Sequence, residues 1–228
     1  MSLGARAEQK ERTRRAILDA ALDLCEQGPL ASLSLRQVAK EVGIVPTAFY
    51  RHFASIEELG LTLVEESLVS LRGMLRDVRH AGASDPAGPA GPASPDTPGG
   101  AGAPGYRDII DRSVGVLTEH VRGQRRHFAF IARERMAGPA AVREAIARGI
   151  ELFERELATD LAHLPGTDSW SSEDLRILSD LIVGAMVTTA EKLVSTTPGS
   201  PEEARVVETA RTQLRMMLVG AVRWESRA

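Results

Sequence analysis

A single cysteine, Cys25, stands in 228 residues, so no disulfide can form within the chain and a reducing compartment is the expected setting. No apolar run approaches the roughly 20 residues a membrane span needs, and residues 1–7 hold no apolar signal segment. A cytoplasmic protein with no membrane partner is expected. The five histidines, at 52, 80, 120, 127 and 163, lack metal-ligand spacing. No glycine-rich phosphate loop, HExxH or GxSxG occurs. These absences argue against an enzyme, a metal site and a bound cofactor. Aromatic residues are also scarce, at 4% of the chain, yet Phe49, Tyr50 and Phe53 fall within five positions.

Charge is uneven. The chain carries a net −3, but residues 1–52 hold two more basic than acidic side chains. A modest basic bias at one end suits a small nucleic-acid reader joined to a neutral or acidic body.

Every segment with a clear period reads as helix, so the expected fold is all-α. Ala16, Ile17, Ala20, Ala21, Leu24 and Cys25 repeat at helical spacing, and Gly28-Pro29 ends that helix. Ser34 and Gln37 form a capping box that opens a short helix closing near Gly43. Pro46 suits a first helical position, which predicts a second short helix to about Phe53. Ser55 and Glu58 repeat the capping box ahead of a long helix. Residues 82–105 hold seven Gly, six Pro and six Ala, too little apolar surface to offset chain entropy, and read as a disordered insertion. Helices are predicted again over 106–122, 125–136, 139–162, 172–195 and 201–224. The last two are apolar on more than one face and need two partners, a second subunit or neighbours in the same chain. Gly184, Ala185 and Ala210 would let helices approach closely there.

Two short helices joined by a turn at Gly43 make a helix-turn-helix, whose second helix enters the major groove. Ile44, Phe49 and Phe53 then pack inward against Val38 and Ala39. Thr47, Ala48 and Arg51 face outward as base readers, a methyl suiting thymine and a guanidinium suiting guanine. Arg36 is a second candidate guanine reader, while Tyr50 and His52 supply donors for phosphate oxygens. Each of these taken alone is equally an ordinary surface residue; their placement on one helix is what counts.

On "SLRQVA", Gly43-Ile44 and "FYRHF", residues 12–60 resemble the DNA-binding domain of the TetR family of bacterial transcriptional regulators. The longer stretch "ASLSLRQVAKEVGIVPTAFYRHFASIEELGLTLVEES" is similar to the FabR and DesT type repressors of unsaturated fatty-acid synthesis, as is "RRHFAFIARERMAG" more loosely. The resemblance implies a DNA-binding domain at 6–54, a connecting helix at 55–80 and a ligand-binding and dimerisation domain at 106–228, with the Gly/Pro/Ala insertion at 81–105 outside the family core. It implies a homodimer through 172–195 and 201–224 that represses from palindromic double-stranded operator DNA, with a long-chain acyl-CoA as effector. Arg36, Thr47, Ala48 and Arg51 match base-contacting positions, and Tyr50 and His52 match backbone-contacting ones. Val45 and Ile56 depart from the usual phosphate-contacting types and are left out.

For the effector, Phe128, Phe130, Ile131, Phe153, Leu157, Ile182 and Met186 could line an apolar tunnel, although residues at such helical spacing more often form ordinary core. Arg125, Arg126 and Arg133 could meet an acidic headgroup, or lie on solvated faces. A different hydrophobic small molecule, such as a drug, is the nearest alternative effector. A sequence-indifferent nucleoid protein, binding phosphates without base discrimination, is the alternative from another class.

Overall fold

The computed structural model describes residues 3–83, 106–163, 167 and 170–226. The expected insertion therefore lies, from residue 84 onward, outside the described residues. Among those described there are nine α-helices, one 3-10 turn and no strand. The helices are α1 (Leu3–Gln27), α2 (Leu35–Val42), α3 (Pro46–Phe49), α4 (Ile56–Ala83), α5 (Tyr106–Gly123), α6 (Arg125–Ala137), α7 (Ala140–Leu161), α8 (Ser172–Ser195) and α9 (Pro201–Val222), with the 3-10 turn at Leu30–Ser32. The expected all-α class holds.

The chain divides into two compact units. The first joins residues 1–70 to 124–152, and the second joins 71–123 to 153–228. By packing, residues 124–152 group with the N-terminal helices. The reason is core volume. Ile17, Leu18, Ala21 and Leu22 of α1, Val38 of α2, Phe49, Phe53, and Leu59, Leu63 and Val64 of α4 close around Phe130 of α6 and Val142 and Ile146 of α7. Short helices alone cannot bury enough apolar surface, and α6 and α7 supply the missing side. Ala16 lies on the exposed side of α1, with Leu18 and Leu22 taking the inward positions. Cys25 is buried, and that burial pushes its thiol up to about 12.

In the second unit, Ile110 and Val114 of α5 pack on Ala210 and Leu214 of α9, with Ile182 and Met186 of α8 against them. Leu161, Leu175 and Leu178 form another cluster with Leu157, Trp170 and Ile182 around it. Ser171 and Ser200 cap α8 and α9, accepting from Asp174 and Glu203 N–H groups at 3.1 Å each. Glu203, 4% exposed, accepts from Arg122 Nη2 and Nε at 2.5 and 3.0 Å and ties α5 to α9. One expected stripe of α9 is inward, through Ala210 and Leu214. The other is exposed, with Met216 at 70% and Val219 at 65%, as are Ile177 and Leu181 of α8.

Candidate nucleic-acid interface

The capping box forms as predicted. Ser34 Oγ accepts from the Gln37 N–H at 3.2 Å, and Gln37 Oε1 accepts from the Ser34 N–H at 2.8 Å. These bonds satisfy two donors that a helix start leaves free. At the other end Gly43 takes φ 74°, ψ 27°, a left-handed conformation that costs a side-chain-bearing residue strain. The Ile44 N–H then donates back to the Ala39 carbonyl at 2.9 Å, which closes α2 and turns the chain. Val45 is extended, as a residue before proline must be, and Pro46 starts α3.

Regular α3 ends at Phe49, four residues earlier than the pattern predicted. Beyond it the chain continues in tighter turns, with Arg51 N–H to Ala48 carbonyl at 3.2 Å and His52 N–H to Phe49 carbonyl at 2.8 Å. Two inward aromatics set this geometry. Phe49 and Phe53 are 0% and 1% exposed, with ring centroids 5.9 Å apart. Arg14 of α1 covers them, its guanidinium 4.4 Å above the Phe53 ring and its Nη1 donating to the His52 carbonyl at 3.2 Å.

With Phe49 and Phe53 inward, the outward residues follow. Thr47, Tyr50 and Arg51 are exposed, one turn apart on the same side, while Ala48 and His52 are half-buried. Tyr50 is 61% exposed and its ring meets Phe49 edge-on at 6.2 Å. Arg36 of α2 is exposed, with Lys40 one turn further along. His52 is held below the usual histidine pKa, first by burial and then by Lys10, Arg14 and Arg51. Its Nδ1 is buried and has no hydrogen-bond partner. The electrostatic neighbours Lys10 and Arg14 did not figure among the sequence candidates. Their i, i+4 spacing on α1 was the available signal, but nothing in that spacing says that α1 passes beside His52.

The effector candidates divide between the units: Arg125, Arg126, Phe128, Phe130, Ile131 and Arg133 in the first, Phe153, Leu157, Ile182 and Met186 in the second. Phe130 is 2% exposed within the first core, and Ile131 packs against it. Arg133 donates to the backbone carbonyls of Cys25, Glu26 and Gly28, and Arg126 pairs with Asp23 at 2.6 Å. In the second unit Leu157 and Ile182 share one cluster, and Ile182 and Met186 another. Phe128 and Phe153 are buried. Among the described residues no three His, Cys, Asp or Glu side chains converge as a metal site, and no helix is long and apolar enough to cross a membrane.

Residues 17–61 match the family model for bacterial regulatory proteins of the tetR family, and residues 106–220 match the tetracyclin repressor-like C-terminal domain. Among solved structures, the chain is similar to the fatty acid degradation regulator FadR from Bacillus halodurans, at 14% identity and TM-score 0.63, covering 89% of this chain and 94% of that one. It is similar also to the transcriptional regulator FadR from Bacillus subtilis in complex with stearoyl-CoA, at 16% identity and TM-score 0.61, covering 90% and 98%. The multidrug binding protein EbrR, in complex with imidazole, matches at 20% identity and TM-score 0.52, covering 90% and 93%. At such identities these likenesses speak to the fold.

Proposed function

We propose, for a chain that belongs to the tetR family of bacterial regulatory proteins, that it represses transcription as a homodimer on a palindromic operator and releases or grips that operator in response to a hydrophobic small molecule. The family and its structural neighbours are transcriptional regulators rather than enzymes. The observation that carries the reading is the pairing of buried Phe49 and Phe53 with exposed Thr47, Tyr50 and Arg51 across the turn at Gly43. That arrangement leaves one face of α3 free for a major groove.

In this reading Thr47, Ala48, Arg51 and Arg36 address base edges, and Tyr50 and His52 address phosphates. Lys10 adds a further phosphate contact, because it lies near His52 with Arg14 and Arg51. Two copies joined through α8 and α9 present two recognition helices roughly 34–36 Å apart, or a multiple of one turn. The exposed Ile177, Leu181, Met216 and Val219 supply the apolar surface for that pairing. An effector acts by binding one spacing of the two helices better than the other, so its differential affinity sets how far the equilibrium moves. The protein works with the nucleoid, in the cytoplasm.

A long-chain acyl-CoA is the effector class we favour, in keeping with the likeness to the FabR and DesT type repressors in "RRHFAFIARERMAG" and with a FadR neighbour solved with stearoyl-CoA. Phe153, Leu157, Ile182 and Met186, which share the second unit, are the candidate contacts kept in this reading, while Phe128, Phe130, Ile131 and Arg133 belong to the first. The multidrug-binding neighbour favours a second reading, in which a drug-like molecule takes that place. Selection of bound sequences from a random duplex pool, repeated with and without stearoyl-CoA, tests both parts. Recovery of a palindromic motif supports the regulator, and its loss or gain with stearoyl-CoA supports the acyl effector. Binding without sequence preference overturns the operator reading in favour of a nucleoid protein.

A further inference from the structure

We infer that Arg133 and Glu134, adjacent on α6, are positioning residues that hold α2 and α3 in place for reading DNA, an inference that rests on the DNA-binding reading above. The last carbonyls of a helix have no partner within it. At the end of α1 they are met from α6: Arg133 donates to the Cys25 carbonyl, to Gly28 at 3.1 Å and to Glu26 at 3.2 Å. Next to it, Glu134 Oε1 accepts from the Leu30 N–H at 2.9 Å. Between Cys25 and Leu30 no side chain is buried. The loop is therefore anchored by its own backbone, through two side chains of α6, and by Leu30, which is 0% exposed.

Leu30 begins the 3-10 turn, and Ser34, the N-cap of α2, follows four residues later, within at most about 14 Å of extended chain. A shift of Leu30 is thus passed to α2, and through the turn at Gly43 to α3.

Glu134 is an expensive way merely to fill space. It is 0% exposed, and its Oε2 is buried without a hydrogen-bond partner. Gly138 closes over it, so that a Cβ there would stand 2.8 Å from Oε2. A leucine of similar size would fill the volume without burying an acid. What leucine cannot do is accept the Leu30 N–H.

The test compares wild type, E134Q and E134L, in the full chain, on the motif selected from random duplex DNA and on a scrambled duplex at the same salt. E134Q keeps an acceptor and should bind both as wild type does. E134L should weaken the selected motif about tenfold or more while leaving the scrambled duplex nearly unchanged, as expected for a displaced reader with an orphaned donor behind it. A folded E134L that reads the motif as wild type does overturns the inference, as does an E134Q equally impaired. Should E134L lose its helical circular dichroism, R133L replaces it under the same criteria. If wild type selects no motif, the DNA-binding reading is what fails. Hydrogen exchange then decides the clamp: faster exchange in α2 and α3 of E134L, with α9 unchanged, supports it, and identical exchange overturns it.

Discussion

Gly60 of α4 lies against Leu30 so closely that a Cβ at position 60 would overlap Leu30 Cδ2 and stand 3.3 Å from Val142 Cγ2. The glycine is there for approach, since it sits in a helix where backbone freedom is a cost. Leu30 has Glu134 bonded to its amide on another side and cannot step back freely. Gly60→Ala should therefore destabilise the protein by about 1–3 kcal/mol, as overpacking of a close-packed core does. Urea unfolding followed by circular dichroism checks this. An unchanged midpoint would show that Leu30 has room the packing does not suggest.

Base readers and phosphate contacts should separate by their salt dependence. Arg36→Ala and Arg51→Ala should each cost about 1–3 kcal/mol on the selected operator and much less on scrambled DNA. Lys10→Gln should weaken both duplexes alike and lower the salt slope by about one. Titrations by fluorescence anisotropy at several salt concentrations read both quantities together. Equal loss on both duplexes for Arg36→Ala would assign that side chain to phosphate.

Much of this face was legible because helix starts are written locally. Ser34 with Gln37, and Pro46, each supply a bond or a dihedral within four residues of the start they mark. The second capping box is a partial exception: Ser55 accepts from the Glu58 N–H at 3.0 Å, but Glu58 reaches the Ala54 N–H at 2.6 Å. The early end of α3 was not legible. There Arg14, 38 residues away, donates to the His52 carbonyl, and a partner so distant leaves no local signal. Nor was the partner of α6. Helical spacing says that Phe130 is buried, but not against which helices. Arg133 answers backbone carbonyls over 100 residues distant, and those carry no sequence signal at all.

With His52 on a phosphate, as proposed, DNA binding should depend on pH. In the free protein burial lowers its pKa, Lys10, Arg14 and Arg51 lower it further, and Glu11 opposes them, so the ring is neutral near pH 7. A phosphate beside the ring stabilises the imidazolium and raises the pKa in the complex. Binding then takes up a proton. Affinity should rise as pH falls through the pKa of the complex and level off below that of the free protein. Operator titrations from about pH 8 to about pH 6 should show this rise in wild type and a shallower one in His52→Gln. Identical slopes would place His52 away from phosphate.

The exposed apolar residues of α8 and α9 carry the last prediction. Ile177 and Leu181 are 44% and 51% exposed one turn apart, and Met216 and Val219 are more exposed still. At Gly184, one turn beyond Leu181, an added Cβ would meet nothing within 4 Å in the single chain. An alanine there should on its own stabilise α8 by roughly 0.5–1 kcal/mol, because glycine is a poor helix residue. If a second copy packs on this face, the same methyl intrudes on the approaching helix and dimerisation weakens. Leu181→Glu and Met216→Glu place charges on that face without touching either core, and each should convert a dimer to a folded monomer in sedimentation at micromolar concentration. A Gly184→Ala protein that is more stable and equally dimeric would move the contact away from Gly184. Wild type sedimenting as a monomer would remove α8 and α9 as the basis of assembly, and with them the two-helix spacing on which the palindromic operator depends.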